Sequence, residues 1–313
     1  MSWQSLPLCF ELLSPLHIGF LPNRPGTFQA PTRCYVPGKN MWGAATAALT
    51  PRMCKSLTAR HFAEVGDAIK RQMIFSYLYL SDGKEIFMPD YDKEGLRWGD
   101  CNDREFRARF LDSIVSTEIV TTGAAKDTSL HEIEFIRHRI GSPGEPNKPV
   151  LLVGKVWLSE GGKIFNEQLE IRNDSIVVKD IDVFEGITLG GEQNYGFGLL
   201  QKTNVPEFSD SGTNVNEILN ISPGKKIRIE RNKPLIGHLP YRPDKLFVGE
   251  IEILAGREYL RDDSAVKFAY PGKSIVNTVY CFVPGTRVKA GNAEMDFWGR
   301  LHWTDSECKH SSS

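Results

Sequence analysis

The residues with the most chemical potential lie in one short run, Leu189-Gly190-Gly191-Glu192-Gln193-Asn194-Tyr195-Gly196-Phe197-Gly198-Leu199-Leu200. Glycines this dense let the backbone enter conformations closed to other residues and let a ligand approach the main chain. Successive exposed amides in such a loop can form an anion-binding nest of the kind that cradles phosphate. Gln193, Asn194 and Tyr195 add neutral hydrogen-bonding groups and one ring able to stack on a base. The same pattern also describes a glycine-rich bulge or tight turn at a strand end, and the loop alone leaves both readings open.

A second run, Tyr35-Val36-Pro37-Gly38-Lys39-Asn40, stands at the start of a helix-favouring segment. A helix N-terminus offers free amide donors and a favourable dipole to phosphate, and Lys39 and Asn40 would put a cation and an amide side chain there. His17 and His61 are the histidines placed for general acid-base chemistry. Asp90, Asp92, Asp100 and Asp103 raise a metal question, but their spacing matches no calcium loop closed by a bidentate glutamate. No Walker loop, nucleophile elbow or dinucleotide fingerprint occurs, so neither metal nor cofactor is expected.

These runs need a scaffold. The chain has 313 residues, room for two domains or one large one, and a near-neutral formal charge of -1 that conceals an uneven distribution. Up to Phe62, Glu11 is the only acid against Arg24, Arg33, Lys39, Arg52, Lys55 and Arg60; a second basic stretch holds Lys225, Lys226, Arg228, Arg231, Lys233, Arg242 and Lys245. Basic faces on a neutral protein suit a polyanion held along one groove, although solvated surface is the commoner explanation for any single run. The cysteines are scattered singly, which predicts reduced thiols. No apolar run reaches membrane-span length and no secretory signal is visible, so a soluble cytoplasmic protein is expected.

Local patterning predicts a β-rich chain with few helices. Strands are expected over 8–13, 114–120, 131–139, 150–158, 176–178 and 187–189, and helices over 42–49, within 63–79 and over 104–110. The polar, turn-rich run from Pro206 to Thr213 divides the chain. Residues 1–205 form the first expected domain, 206–223 the linker and 224–313 a smaller β-rich domain with strands over 226–230, 246–254, 276–283 and 297–304.

Four segments in order then carry a resemblance: Ser14-Pro15-Leu16-His17-Ile18-Gly19, the Tyr35-to-Ala44 helix start, Thr121 to Ile136 ending in Leu130-His131-Glu132-Ile133-Glu134, and the glycine loop. This series resembles the RAMP superfamily of CRISPR-associated proteins, with its "HIG" element, "PGsslkG" helix start, "LyevE" strand and glycine-rich loop. The match covers about the first two-thirds of the chain. It implies an α+β fold with a ferredoxin-like, RNA-recognition-type β-α-β-β-α-β core, β-hairpin insertions and the smaller β-rich domain after it. It implies guide (CRISPR) RNA as ligand, target RNA as a further candidate, and Cas10-like and Cas7-like subunits of a type III effector ribonucleoprotein in antiviral defence as partners. The implied RNA-binding set is His17, Arg33, Lys39, Asn40, Gly190, Gly191, Gln193, Asn194, Tyr195, Gly196 and Gly198.

Departures from the pattern narrow the expectation. RNA-cutting Cas7-type relatives carry an acid between the "HIG" and "PGss" elements, whereas Phe20 to Tyr35 contains no Asp or Glu. Trp42 replaces the usual lysine of "sslkG". More than a hundred residues follow the glycine loop, which resembles the Cas5-like group of type III systems (Csm4, Cmr3 and Csx10), with a Cas7-like relative as second choice. The expectation is therefore a non-catalytic subunit holding one end of the guide. Two alternatives stay open: a metal-independent, Cas6-like guide-processing endoribonuclease using His17, and a protein-only adaptor with a RAMP fold.

Overall fold

In the computed structural model of the chain, the residues described are 2–20, 29–55, 57–117, 130–141, 147–206, 208, 221–258 and 274–304. The molecule is mixed α+β, with three α-helices among the described residues and many short strands. Its centre is an antiparallel sheet in the order Leu200–Lys202, Trp3–Leu12, Leu151–Ser159, Leu78–Ser81, Tyr35–Val36; Met73–Phe75 also pairs with Leu151–Ser159, and Ile86–Phe87 with Leu78–Ser81. Leu151–Ser159 is buried along its whole length. A continuous apolar run fits a strand covered on both faces, and period-two alternation sorts its side chains between two cores.

On one face Leu6, Leu8, Phe10, Leu152, Val156 and Leu158 pack against Met41, Trp42, Leu49, Val65 and Ile69 from two helices. These are α1 (Gly38–Met53) and α2 (Ala59–Gln72). The small residues of α1 admit close contact: Trp42 donates its indole N–H to the Gly66 carbonyl at 2.7 Å, and the Thr46 and Thr50 hydroxyls turn back onto carbonyls four residues earlier. Trp42 thus fills a helix-helix seam. A Thr58 side chain that accepts the His61 amide starts α2, and an Asn102–Glu105 capping box starts α3 (Asp103–Phe110).

On the opposite face, Ile74 and Trp157 join a core made by the C-terminal segment, with Ile229, Leu235, Leu239, Phe282, Val288, Ala293, Met295 and Leu301. That segment forms two small antiparallel sheets: Ile227–Ile229, Gly291–Met295, Leu301–Trp303, and Leu239–Pro240, Ser274–Phe282, Ile251–Glu258. Because its apolar residues share a core with two central strands, the segment is packed onto the sheet as a second layer. Most of the expected linker lies outside the described residues, as does the first part of the Thr121 to Ile136 segment.

Three local expectations are corrected. No strand forms over 187–189, where Thr188 makes an isolated bridge to Leu199, because the chain must turn sharply into the glycine loop. Of 297–304 only Leu301–Trp303 is a strand; Asp296 caps the preceding turn by accepting the Trp298 and Arg300 amides, both at 2.9 Å. A β-α-β-β-α-β core would also place a helix before the last strand. Here the meander Lys163–Ile164, Glu167–Arg172, Ser175–Val178, Ile181–Asp182 and a 3₁₀ turn occupy that part of the chain.

Candidate nucleic-acid interface

The glycine loop folds over the turn that ends the first strand. The Gly191 amide donates to the His17 carbonyl at 2.9 Å, the Gly198 amide to the Pro15 carbonyl at 2.7 Å, and the Leu189 amide to the Gly198 carbonyl at 2.9 Å. Ser14 Oγ accepts the Leu199 amide at 2.9 Å. Two glycines are sterically required. Gly190 (φ 78°) and Gly198 (φ 82°) sit where a Cβ would lie 2.2 Å from the His17 oxygen and 1.9 Å from the Leu189 oxygen. Both combine the left-handed backbone with close approach of another chain segment.

The tip of the loop is built for presentation. Glu192 takes a left-handed conformation (φ 58°), and Gln193–Tyr195 form a 3₁₀ turn whose Gln193 Nε2 donates to the Gly190 carbonyl at 3.0 Å. Gln193, Asn194, Tyr195 and Gly196 are exposed, and the Tyr195 ring is 67% exposed. Phe197 goes the other way, meeting Phe135 edge-on with ring centroids 5.4 Å apart. The amides of Leu189, Gly191, Tyr195, Gly196, Phe197 and Gly198 bond within the fold. The amides of Glu192, Gln193 and Asn194, in succession at the tip, take no part in these bonds, and the tip carries two polar side chains and one ring.

His17 is the loop's anchor. Its ring is 6% exposed, and Nδ1 lies 2.7 Å from the Glu134 carbonyl. A carbonyl only accepts, so this nitrogen carries the proton and fixes the tautomer. The Glu134 carboxylate accepts the Thr32 amide at 3.0 Å, and Thr32 Oγ1 accepts the Ile18 amide at 2.9 Å. The "HIG" turn, the "LHEIE" strand and the glycine loop, far apart in sequence, are thus one hydrogen-bonded unit.

Lys39 and Asn40 belong to a different neighbourhood. Pro37 precedes α1 without a side-chain cap, and both residues are half-buried. The Lys39 ammonium lies 4.2 Å from the centre of the Trp298 ring, and Lys70 from α2 lies 4.7 Å from it. Two cations on one ring make this point electropositive. The Trp298 indole N–H is buried and has no hydrogen-bond partner among the described residues. Gly38 is here because a Cβ would fall 2.4 Å from both the Phe75 and Trp298 carbonyl oxygens.

Arg33 is corrected from surface contact to interior. It is 9% exposed, its Nη2 donates to Glu252 at 2.7 Å and its Nη1 to the Gly19 carbonyl at 2.8 Å. His238, fully buried, also bonds Glu252 and sits 2.5 Å from the Tyr77 hydroxyl. Burial alone would raise the Glu252 carboxyl; the bonds and charges of His238 and Arg33 outweigh it and hold the group at about 2. For His238 burial prevails and lowers the pKa despite the carboxylate. Nothing near Arg33 in sequence announces this network, since Glu252 and His238 arrive from the C-terminal segment.

Three of the four acidic candidates are absorbed by structure, and the fourth, Asp100, accepts Arg97 through its backbone carbonyl at 3.0 Å. Asp90 pairs bidentately with Arg287 at 2.7 and 2.6 Å, Asp103 takes Arg107 and Trp98, and Asp92 caps the Glu94 and Gly95 turn. His61 serves the start of α2. No helix among the described residues is long and apolar enough to cross a membrane.

No protein-family model matches the chain, and no curated protein matches it. Among solved structures, a chain of the Type III-B Cmr-beta complex bound to cognate target RNA is 10% identical, with 90% of this chain and 86% of that one covered and a TM-score of 0.47. A chain of the same complex bound to cognate target RNA and AMPPnP is 9% identical, with the same coverage and a TM-score of 0.47. A chain from its apo state is 11% identical, covers 64% of this chain and 96% of its own length, and gives a TM-score of 0.34.

Proposed function

We propose that this chain is a guide-RNA-binding structural subunit of a type III CRISPR effector ribonucleoprotein, holding one end of the guide. The observation that carries the reading is the union of three segments singled out in the sequence. The His17 turn, the Glu134 strand and the glycine loop are joined by His17 bonds to Gly191 and Glu134, and together they present Gln193, Asn194 and Tyr195 at an exposed tip. A ring and two amide side chains on a rigid turn suit an unpaired base and its neighbouring sugar-phosphate. The antiparallel order Leu200–Lys202, Trp3–Leu12, Leu151–Ser159, Leu78–Ser81 supports a ferredoxin-like sheet of the RAMP type in which the meander over 163–182 stands in place of the second helix. The segment lacking acids after His17 supports a member of the Cas5-like group that does not cut.

The second neighbourhood, Lys39 and Lys70 around Trp298 at the start of α1, supplies positive charge for the RNA backbone. A catalytic role for His17 is disfavoured by its burial and by Nδ1 being committed to Glu134.

The test is a Gly191→Asp, Lys39→Glu double variant co-expressed with the guide RNA and the remaining effector subunits. Loss of guide RNA from a folded, purified variant is expected; undiminished RNA would refute the proposal. Incubation of the wild-type chain with precursor RNA without metal is expected to leave it intact. Specific cleavage abolished by His17→Ala would establish the endoribonuclease alternative instead.

A further inference from the structure

In the C-terminal sheet, Leu239 pairs with Phe282, Pro240 with Cys281, and the Tyr241 amide donates to the Tyr280 carbonyl at 2.8 Å. Tyr280 in turn pairs with Ile253. Directly opposed residues of antiparallel strands share a face, so Tyr241, Tyr280 and Ile253 form one row across three strands. The neighbouring row, Leu239, Phe282 and Ile251, is core: Phe282 is fully buried beneath Tyr241 and Phe247, with ring centroids at 5.3 and 4.9 Å. The outer row emerges from it. Tyr280 is 62% and Tyr241 36% exposed, and Leu246, Phe247 and Val248 continue the apolar surface beside them.

The rim of this surface is cationic. Arg242 and Lys245 lie over the Trp303 ring at 4.9 and 5.4 Å, which holds both beside the sheet, and the Lys289 amide bonds the Leu246 carbonyl at 2.8 Å. Of the nearby acids, Asp244 lies 3.6 Å from Lys245. Exposed rings on adjacent strands with cations at the edge match what a flexible polyanion with stackable bases requires.

We propose that this face, with Tyr241 and Tyr280 as stacking platforms and Arg242, Lys245 and Lys289 as phosphate contacts, binds a single-stranded RNA segment separately from the glycine loop. It extends the guide-RNA reading to a second surface but does not depend on it, since an unpaired strand from any source would fit.

The measurement is fluorescence anisotropy of a labelled oligouridylate with the full chain. Tyr241→Ala with Tyr280→Ala is expected to weaken binding about tenfold or more, Tyr241→Phe with Tyr280→Phe to keep it near wild type, and Arg242→Glu with Lys245→Glu to weaken it and flatten its salt dependence. The phenylalanine pair and the charge reversal cover the case in which the alanine pair fails to fold. Tyr195→Ala serves as the loop control. Weakening by Tyr195→Ala with full affinity in the sheet variants would overturn this surface while leaving the loop reading intact. Weakening in the sheet variants alone would support the surface and count against the loop. Unchanged RNA affinity with loss of an effector subunit from the assembled complex would make the face a protein interface and overturn the proposal.

Discussion

The carbonyl oxygen of Leu189 occupies the space where Gly198 would carry a Cβ, 1.9 Å from its ideal position. Both ends of the glycine loop are therefore closed by main chain against main chain.

This closure predicts a position-specific glycine series. Gly198→Ala and Gly190→Ala combine a left-handed φ with a backbone clash and should each cost about 2–4 kcal/mol in urea unfolding. Gly196 has φ 80° but nothing within 4 Å of a Cβ, so Gly196→Ala should cost only about 1 kcal/mol. Equal losses at the three positions would contradict the geometry.

How much of this was legible in the sequence depends on the range of the interaction. The helix start at Pro37-Gly38, the helix over 104–110 and the long buried strand follow from local pattern, and three of the four segments singled out meet at one site. Arg33, placed in the RNA-binding set by the resemblance, is interior and paired with Glu252, more than two hundred residues later. Trp298, with Gly299 and Arg300, reads from the sequence as either a further RNA contact or a turn between strands, and only the fold sets it beneath Lys39 and Lys70; the Tyr241–Tyr280 row depends on the same long-range pairing. A partial signal existed for the row, since alternation along 276–283 puts Tyr280 and Phe282 on one face, but only strand pairing brings Tyr241 beside it.

The buried Arg33–Glu252–His238–Tyr77 network predicts a pH dependence of folding. His238 and Glu252 both have folded pKa values below their ordinary ones, so the unfolded chain binds more protons and stability is fullest above the unfolded values. Stability should decline as the pH drops below about 6.5, through His238, and further below about 4.5, as Glu252 is drawn toward its folded value of about 2. Chemical denaturation across that range is the check, with His238→Gln expected to flatten the upper part.

Removing one partner of this network should be severe. Glu252→Ala leaves the Arg33 guanidinium buried without its carboxylate and should cost about 3–5 kcal/mol. Arg287→Ala, whose pair with Asp90 is partly exposed, should cost about 1 kcal/mol or less. Thermal or urea unfolding of the two variants side by side reads the difference, and comparable losses would contradict the assignment of burial.

Trp298 ties the start of α1 to the C-terminal layer, packing on Trp42 at 5.8 Å and under Lys39 and Lys70. Trp298→Ala should cost about 3–5 kcal/mol. Trp298→Phe, which keeps a ring beneath both lysines, should recover most of it.

The central claim is that the loop tip touches guide RNA, and photo-crosslinking tests it most directly. An effector complex assembled on guide RNA containing thio-uridine would be irradiated, digested and mapped by mass spectrometry. The account predicts crosslinked peptides containing Gln193 to Gly196, lost in a Tyr195→Ala, Asn194→Ala variant that still folds. Efficient crosslinking of this chain with no adduct anywhere between Leu189 and Leu200 would contradict it.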